Sequence, residues 1–541
     1  MDRTESALTL SGWIRHLWTG LLFAGPSSAT EGWPRPAFLA VLLILPALLL
    51  YPYLGFHLFE PDESRYAQIP REMLERGDWL VPTLQSEPYL DKPPLFYWLV
   101  MLSYSVFGYE VWAARLIPAL ALHGCILMTY LFGRRVLGDW PALLGALVLS
   151  LAPGFLVVSR LLLLDGLLTF LVCLSLFAAF EAIRGTTLHR GWWLVAAVAC
   201  GLGVLTKGPV AVLLLVPPLW LYRTLSGQGI WPGRMAWLAF FAVVLAIALP
   251  WYVAMCWRIP EFLGYFFWEH NLQRFLTPAM HVRGVWFFLP IVFLFLLPGS
   301  LLIWPLGRFL LDRQRLPARS PELSFHVLVG GWIVLFFTLS TCKLPTYILP
   351  ALPSLALVIG VFMKHTDWYR ARLTRWTAAV AGLLIVLANG VAIPWYAEYR
   401  SPMSRPTEVL ALCADPSASV VCYPRNCDSV AFYLGRRDLR VFPSKNIEDL
   451  RTLVRKQPRT VILCTHRHSL QGLKQLLPPE VHIVHEVRMG LQDIPGVPQW
   501  LMRPLKKVMG ETALGLGDLA VVEFPPLCRA STESAKPTDR R

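Results

Sequence analysis

Apolar runs close to the thickness of a bilayer recur along most of this chain, and they constrain its fold more than any other feature. A helix that crosses the hydrocarbon core needs about 20 mostly apolar residues. The sequence predicts eleven such spans, near 37–55, 112–133, 138–157, 161–183, 192–206, 209–222, 235–256, 285–307, 324–341, 346–363 and 376–396. The apolar segment 94–107 is either a further span or a helix at the membrane interface, so we expect about 11–13 helices. A hydrophobic content of 55% excludes an ordinary soluble enzyme and predicts an α-helical polytopic membrane protein.

Basic residues divide the loops between these spans into two sets. One set is rich in bases and is predicted to be cytoplasmic by the positive-inside rule. Its members are Arg134, Arg135, Arg184, Arg190, Arg223, Arg234, Arg308, Arg313, Arg315, Arg319, Lys364, Arg370, Arg372 and Arg375. The opposite loops carry single bases, and the first large loop, 56–111, is acidic on balance. This predicts a cytoplasmic segment 1–36, a transmembrane domain 37–396 and an outer C-terminal part, which is periplasmic if the membrane is a bacterial inner membrane.

The C-terminal part is more polar and predicts a small α/β domain over 397–525, followed by a disordered tail over 526–541. The runs "SVVCY", "TVILCT" and "VHIVHEV" are typical of strands, and "DSVAFYLG" and "HRHSLQGLKQLL" have helical spacing. Five cysteines lie here, namely Cys413, Cys422, Cys427, Cys464 and Cys528. They allow a disulfide outside the cytosol, but buried thiols are favoured. His466 and His468 do not complete a recognised zinc spacing.

Charged and polar residues at the outer ends of the predicted spans form a second pattern. Its members are Asp62, Asp91 and Lys92 in the first loop, then Asp165, Lys207, Glu269, His270, Arg274, Lys343 and Tyr347. A charged group inside the membrane costs about 2.5–3.5 kcal/mol on insertion scales, so such a group indicates function. Each member alone has another explanation: the lysines reach lipid head groups, and Glu269 with His270 forms a loop ion pair. Arg71, Glu72, Glu75 and Arg76 have helical spacing and are predicted to form a solvated helix face.

Acids and bases at one membrane face suit a substrate with a long lipid tail and an anionic head. The tail needs an apolar groove, the phosphate needs cations, and a carboxylate handles the incoming acceptor. Pro93 and Pro94 end the first loop and keep Lys92 out of a helix. The pattern therefore favours transfer from a lipid-linked phosphate donor.

The motifs in the first loop and beyond it resemble a known family. The stretch "PDESRYAQIPREMLERGDWLVPTL" and the later "EPYLDKPPLFYWL" are similar to the first outer loop of the aminoarabinose transferases that modify lipid A. "WAARLIPAL", "LLLLDGLLTF", "LTKGPVA", "EHNLQRF" and "KLPTYILPALP" extend the likeness over roughly 55–355. The wider group includes the bacterial and protein O-mannosyltransferases with the GT-C glycosyltransferase fold. The resemblance implies an inverting transfer of a sugar from a polyprenyl phosphate, usually undecaprenyl phosphate, without a nucleotide cofactor.

The resemblance also implies roles for individual residues. Asp62 matches the essential carboxylate of the first loop, and Lys92 and Arg274 match bases that hold the donor phosphate, helped by Lys207 or Lys343. Asp165 is expected to be catalytic. Glu63, Tyr89 and Tyr347 are expected to line the cavity. Asp91 and His270 match positions associated with a divalent metal, zinc or another, although Asp91 replaces a glutamate and is one methylene shorter.

Three functions remain open from the sequence. The first is transfer of a sugar, for example 4-amino-4-deoxy-L-arabinose, to lipid A at the periplasmic face of a bacterial inner membrane. The second is the same chemistry on protein serine or threonine, or on an envelope glycan. The third is transport of a lipid-linked sugar, which the lack of matched halves with interrupted helices disfavours. The expected partners are a polyprenyl phosphate-linked sugar, lipid A or another envelope acceptor, and the lipid bilayer, whereas nucleic acid is not expected.

Overall fold

The structure, a computed structural model, describes residues 35–277, 282–312, 320–400, 411–415, 418–424, 427–465, 470–487 and 517–523. They divide into two compact units. The first contains the described residues up to Gly55 together with 73–82 and 88–393, and the second contains 56–72, 83–87 and the described residues from Pro394 onward. Helix α2 (Asp62–Arg76) contributes its first eleven positions to the second unit and its last turn to the first.

The first unit is helical. Its helices, in order, are α1 (Arg35–Leu50), α3 (Leu95–Phe107), α4 (Val111–Leu137), α5 (Asp139–Ser150), α6 (Pro153–Arg160), α7 (Leu164–Ile183), α8 (Arg190–Lys207), α9 (Val210–Ser226), α10 (Arg234–Arg258), a π-helix (Gly264–Gln273), α11 (Arg274–Leu276), α12 (Phe288–Phe295), a 3₁₀ helix (Gly299–Leu302), α13 (Ile303–Leu311), α14 (Pro321–Leu339), a 3₁₀ helix (Pro345–Ala351), α15 (Leu352–His365), a 3₁₀ turn (Trp368–Arg370), α16 (Arg372–Leu387) and a π-turn (Ala388–Ala392) that leads into α17 (Ile393–Arg400). From Pro394 onward, α17 belongs to the second unit. The second unit also contains Thr83–Glu87, where the two-residue strands β1 (Thr83–Leu84) and β2 (Glu87–Pro88) pair before α3.

The helices of the first unit are those of a multi-pass membrane protein. By length and composition, six described helices or continuous helical stretches are able to cross a membrane, and two bent pairs raise this to eight. The bent pairs are α5 with α6, at 58°, and α12 with the Gly299–Leu311 stretch, at 111°. Each of the eleven predicted spans overlaps helix in the structure, including the shorter apolar helices α1 and α9. The stretch Arg372–Ala397 has only 11% of its apolar window buried by protein, so in a membrane this helix contacts lipid.

Close packing between α5 and α15 depends on glycine. A Cβ added at Gly360 of α15 would lie 2.2 Å from the carbonyl oxygen of Pro141 and 2.6 Å from the amide nitrogen of Gly145. Backbone atoms cannot move aside cheaply, so only glycine fits. Small residues at helix contacts are typical of membrane proteins, where packing replaces the hydrophobic driving force.

Arg160, the single base between the predicted spans 138–157 and 161–183, is fully buried at the end of α6. Its guanidinium donates to the carbonyl oxygens of Pro52 at 2.6 Å, Tyr53 at 3.1 Å and Leu50 at 3.3 Å, just beyond α1. It also donates to the carbonyl of Asn389 at 3.3 Å. Carbonyl oxygens that helix ends and turns leave without a backbone partner need donors, and one arginine with its fork of N–H groups supplies them.

The second unit contains a five-stranded mixed sheet with strand order β4-β3-β5-β7-β6. Its elements are β3 (Ser419–Tyr423), α18 (Asp428–Leu434), β4 (Arg440–Val441), a 3₁₀ turn (Ser444–Asn446), α19 (Ile447–Lys456), β5 (Arg459–Thr465), α20 (Leu470–Leu476), β6 (His482–Val487) and β7 (Gly517–Glu523). Strand β3 is parallel to β4 and β5, whereas β7 is antiparallel to β5 and β6. The predicted α/β character of this part is confirmed, and the strand-like and helical runs fall on β3, β5, β6, α18 and α20.

Both faces of the sheet are covered, because the strands alternate side chains between two cores. Val420 and Cys422 of β3 pack with Val430 of α18 on one face. Val421 and Tyr423 pack with residues of α19 and α20 on the other face. The four described cysteines of this unit, Cys413, Cys422, Cys427 and Cys464, are buried and form no disulfide, as favoured; Cys528, His466 and His468 lie outside the described residues.

Part of the predicted first outer loop belongs to this second unit. The Glu60 carboxylate accepts hydrogen bonds from the Ser429 amide at 2.6 Å and from the Ser64 hydroxyl at 2.5 Å. Arg71 of α2 donates to the carbonyl of Phe432 at 2.5 Å. These contacts join positions up to 369 residues apart in the chain.

The prediction of a solvated face on α2 was wrong for Glu72. This side chain is fully buried, and its two oxygens accept from the amides of Gln85 at 2.9 Å and Ser86 at 3.1 Å. Gln85 and Ser86 both have positive φ, at 54° and 67°, in the turn between β1 and β2. Glu72 therefore holds this turn, and the side-chain amide of Gln68 donates to the same carboxylate at 2.8 Å.

Candidate active site

Charged residues from five separate parts of the first unit meet where several helices end. Asp91 and Lys92 precede α3, and Asp165 lies in the first turn of α7. Lys207 is the last residue of α8, and His270 lies in the π-helix that runs into Arg274. Lys343 and Tyr347 flank the start of the 3₁₀ helix that leads into α15. The structure thus brings together residues that are up to 256 positions apart (91 to 347).

Lys92 and His270 are in direct contact. The Lys92 Nζ lies 2.7 Å from His270 Nε2 and 3.2 Å from the carbonyl oxygen of Asp91. On the far side of the imidazole, Nδ1 lies 3.7 Å from Asp91 Oδ1. The Tyr265 hydroxyl donates to the same Asp91 oxygen at 2.5 Å. The four side chains form one continuous polar chain that ends at the lysine.

The pKa values of Lys92, His270 and Asp91 follow from burial and from neighbouring charge. Burial, and then the Lys207 ammonium, lower the pKa of Lys92 to about 7. Burial, and then the Lys92 ammonium, lower the pKa of His270 to about 3, so the imidazole is neutral and Nε2 accepts from Lys92. Burial would raise the pKa of Asp91, but positive charge on its neighbours and the Tyr265 hydrogen bond hold it below its ordinary value. A bound anion beside Lys92 would therefore raise the pKa of this lysine again and restore the positive charge that burial suppresses.

Asp165 and Lys207 form the second polar pair. Lys207 Nζ donates to Asp165 Oδ1 at 2.5 Å, and the Thr346 hydroxyl donates to Oδ2 at 3.1 Å. The ammonium also lies 4.4 Å from the ring centroid of Tyr347, a cation–π distance. Gly208 follows with φ +91°, which ends α8 so that Lys207 sits at its tip. Both oxygens of Asp165 are thus engaged by protein groups, and the carboxylate fixes the lysine.

Arg274 and Lys343 lie on two segments held side by side. The Thr341 hydroxyl and amide donate to carbonyl oxygens of 274–277. The backbone of Cys342 pairs with that of Val282 in an isolated antiparallel β-bridge. The Arg274 Nε is buried and has no hydrogen-bond partner among the described residues. Lys343 is buried, and its ammonium donates one hydrogen bond to the carbonyl of Ser340.

An amphiphilic cavity of about 420 Å³ lies beside these groups. Its polar lining includes Lys92, Lys207, His270 and Arg274, and Tyr347 completes this end. The remaining wall is mostly apolar and includes Val210, Leu213, Phe267, Leu272, Phe275, Leu276, Phe336 and Phe337. Three cations at one end of an apolar cavity fit an anionic head group with a hydrocarbon tail.

Six predicted site residues fall outside this lining. Two of them, Asp91 and Asp165, pair with the lining residues His270 and Lys207. Tyr89 lies just before Asp91 and hydrogen-bonds to it. Lys343 does not line the cavity, because its ammonium faces Ser340. Asp62 and Glu63 belong to the second unit, at the start of α2. Glu63 is buried and accepts from the Phe59 amide at 3.0 Å, whereas Asp62 is 56% exposed with Arg65 at 3.8 Å.

Asp91 and His270 do not by themselves fit a zinc site. Zinc takes three or four protein ligands, and no group of three or more His, Cys, Asp or Glu side chains suited to a metal occurs among the described residues. His270 Nε2 is also engaged by the Lys92 ammonium, which repels a cation. The chemistry of this cluster is that of an anion site.

Two contributors were missed by the sequence analysis. Thr346 stands between Lys343 and Tyr347 in "KLPTY", and its hydroxyl was the only available signal. Tyr265 stands five positions before His270, a spacing that an α-helix places on different faces. In the π-helix the two rings stack, with centroids 6.0 Å apart and planes 30° apart.

Comparison with known proteins gives the relatives of the chain. The dolichyl-phosphate-mannose-protein mannosyltransferase family matches residues 37–266. An undecaprenyl phosphate-alpha-4-amino-4-deoxy-L-arabinose arabinosyl transferase of Pseudomonas savastanoi pv. phaseolicola is 34% identical over 383 residues, which is 67% of this chain and 68% of that protein. The chain belongs to this arabinosyl transferase family.

Other members and solved structures agree with that assignment. Arabinosyl transferase 1 of Pseudomonas fluorescens Pf0-1 is 32% identical over 64% of this chain, and the match spans 61% of that relative's length. ArnT from Cupriavidus metallidurans, 22% identical, covers 91% of this chain and 98% of its own, with a TM-score of 0.70 in the apo state and 0.66 bound to undecaprenyl phosphate. The predicted GT-C fold with a small C-terminal α/β part is thereby confirmed for this member of the aminoarabinose transferase family.

Proposed function

We propose that the chain is an integral-membrane glycosyltransferase that moves 4-amino-4-deoxy-L-arabinose, with inversion, from undecaprenyl phosphate to lipid A. The observation that carries the proposal is the cavity in which Lys92, Lys207 and Arg274 stand at one end of an apolar wall. A polyprenyl chain suits the wall and a phosphodiester suits the cations. The names of the relatives supply the sugar and the carrier.

In this mechanism, the largest contribution is stabilisation of the leaving phosphate. Negative charge grows on that phosphate as the glycosidic bond breaks, and preorganised cations stabilise it without reorganisation. Lys92 and Arg274 line the cavity and are the groups that would donate to it. Lys207 contributes charge, and Asp165 acts by fixing that ammonium at 2.5 Å. Lys343 is a supporting base, because its own hydrogen bond to Ser340 limits its part.

Asp62 is proposed to handle the acceptor. Its side chain is 56% exposed, so the carboxylate is accessible to a substrate group. If the acceptor is a hydroxyl, Asp62 orients or deprotonates it. If the acceptor is a phosphate of lipid A, no proton is removed, and Asp62 instead positions the sugar, for example through its amino group. Glu63, Tyr89 and Tyr347 support the site. No step is routed through a metal at Asp91 and His270.

We place the reaction at the periplasmic face of a bacterial inner membrane. Support comes from the bases in the loops at the opposite ends of the helices, which the positive-inside rule assigns to the cytoplasm. A second candidate function is transfer to protein serine or threonine, which the match to the mannosyltransferase family over 37–266 favours. Transport of the lipid-linked sugar is disfavoured, since a carrier has no need of a site that stabilises a leaving group.

The decisive experiment measures free polyprenyl phosphate released from a lipid-linked sugar by the purified chain, with lipid A as acceptor. Lys92→Ala is expected to lower kcat/KM by about 100-fold or more, the usual loss for a group that stabilises transition-state charge. Lys445→Ala removes a lysine from the surface of the second unit and serves as the matched control. Normal turnover by Lys92→Ala refutes the assignment.

The acceptor is tested separately. Mass spectrometry of lipid A and of envelope glycoproteins from cells with and without the gene distinguishes the two candidates. A mass increment of one aminopentose on lipid A supports the first function. An unchanged lipid A with altered glycoprotein supports the second.

A further inference from the structure

A second cavity of about 480 Å³ lies at the opposite ends of the helices that carry the candidate active site. Tyr347 lines the first cavity and Met363 lines the second, and both belong to the continuous helical stretch Pro345–His365. Sixteen residues separate them, or roughly 24 Å at 1.5 Å per residue. The second cavity is therefore a distinct site, here called the α5–α16 groove.

The wall of the groove is apolar over most of its length. It is formed by Leu144, Leu147, Val148 and Leu151 of the α5 region, by Pro298, Gly299, Leu301 and Leu302, by Met363, and by Leu373, Thr374, Thr377 and Ala378 of α16. Helix α16 has no buried residue. Its side chains Leu373 and Trp376 are 71% and 70% exposed, so the groove opens toward the lipid that surrounds a membrane helix.

One end of the groove carries aromatic and basic side chains. Trp368, Tyr369 and Arg375 line it, and Arg372 begins α16. Among the described residues, neither Arg372 nor Arg375 has a salt-bridge partner, and both are exposed. Tryptophan and tyrosine mark the level of lipid head groups, so the two guanidinium groups stand at the depth of the phosphates.

The remaining charged residues at this end of the groove add to its positive electrostatic potential. Lys364 lies 5.7 Å from the Tyr369 ring, and Arg370 donates to the Tyr369 hydroxyl at 2.9 Å. The nearby acid of this segment, Asp367, faces Arg370 at 3.8 Å. Four bases against one acid over 364–375 leave a net positive end.

We propose that the α5–α16 groove binds an anionic glycerophospholipid of the surrounding bilayer. One acyl chain lies along the leucine wall, and the head-group phosphate pairs with Arg375 and Arg372. Basic pockets between membrane helices on the side favoured by the positive-inside rule bind anionic head groups in this way. The bound lipid supplies α16 with the apolar contact that the protein does not.

A second copy of the chain is a poorer occupant of this groove. A protein partner facing Arg372 and Arg375 would have to bury carboxylates beside hydrocarbon, at a cost of several kcal/mol per ion. A lipid phosphate already resides at the interface and pays no such desolvation. The free phosphate ion lacks the acyl chain that the leucine wall is shaped to hold.

The test compares lipid retention by the full-length purified protein in native mass spectrometry. Phosphatidylglycerol and phosphatidylcholine with identical acyl chains are offered, and phosphatidylglycerol is expected to be retained. Arg375→Ala is expected to weaken its retention about fivefold, which is the equivalent of ~1 kcal/mol for one base near an anionic head group. Ala378→Trp fills the groove and is expected to abolish retention with the bases intact.

Arg234→Ala is the matched control, because Arg234 is exposed at the start of another membrane helix, α10, but lies outside the groove. It removes the same charge and should leave retention unchanged. Thermal unfolding midpoints and elution volumes verify that each variant is folded. Equal retention of phosphatidylcholine, an equal loss in Arg234→Ala, retention of two protein copies without lipid, or retention of added undecaprenyl phosphate that Ala378→Trp abolishes each overturns the proposal.

Discussion

The ion pair between Asp165 and Lys207 gives the sharpest test of the candidate site. Its atoms lie 2.5 Å apart, and the two side chains are only 13% and 17% exposed. Replacing one partner of a fully buried pair costs about 3–5 kcal/mol, because the other charge is left uncompensated. Partial exposure allows water to screen that charge, so we expect a loss of about 2–3 kcal/mol.

A double-mutant cycle separates this stability term from catalysis. Asp165→Asn keeps the shape of the side chain and leaves the Lys207 charge unpaired, and Lys207→Met leaves the carboxylate with Thr346 alone. Each single variant should lower the apparent free energy of unfolding in detergent by about 2–3 kcal/mol, and the double variant should recover most of it. Donor cleavage should stay low in the two variants that carry Lys207→Met, because Lys207 no longer contributes charge at the cavity. It should also fall in Asp165→Asn, because the carboxylate no longer fixes the ammonium.

The outcome that contradicts this reasoning is specific. If the losses of the single variants simply add in the double variant, the pair is not coupled and the short contact has no energetic consequence. If the double variant cleaves donor as the parent does, Lys207 has no part in stabilising the phosphate. Chemical denaturation monitored by tryptophan fluorescence and the release of polyprenyl phosphate supply the two measurements.

Three further predictions concern other parts of the first unit. Because the pKa of Lys92 is lowered to about 7, its charged form is lost as pH rises. The affinity for a phosphodiester donor should therefore fall about tenfold from about pH 6 to pH 8 in titration calorimetry. A flat profile would contradict the assignment. Tyr265→Phe removes the 2.5 Å hydrogen bond to Asp91 and should lower kcat/KM about tenfold. Tyr53→Phe, at an exposed ring, is the control and should leave kcat/KM unchanged. Equal effects of the two substitutions would exclude a specific role for Tyr265. Arg160→Met leaves several carbonyl oxygens without a donor and should destabilise the protein by about 3 kcal/mol or more in thermal unfolding, a prediction that an unchanged midpoint refutes.

The sequence was sufficient for those parts of the fold that local patterns encode. Hydropathy located every helical span, because a bilayer requires long apolar helices whatever their tertiary contacts. The run "LLLLDGLL" placed Asp165 at the start of a helix, and "LTKGP" placed Lys207 at the end of another. Both residues then met at one site, since they lie at helix ends on the same side.

The sequence was insufficient where a distant segment or an unusual backbone decides the environment. Glu72 has the spacing of a solvated helix, but its partners are amides of a turn thirteen residues away. Arg160 has the sequence of a loop base, but all its carbonyl partners lie more than 100 positions away in the chain. Tyr265 and His270 face each other only because that segment is a π-helix, which no local composition predicts.

The contact between Glu60 and Ser429 also restricts how many times the chain can cross the bilayer between these two residues. Both residues belong to one compact unit, so the chain must cross the bilayer an even number of times between them. Among the described residues, six long apolar helical stretches lie between them, or eight if each bent pair is one span, and both numbers are even. Adding the thirteen-residue α3 as a further crossing would make either number odd and leave the two halves of that unit in different compartments. This count therefore favours α3 as a helix that does not cross the membrane.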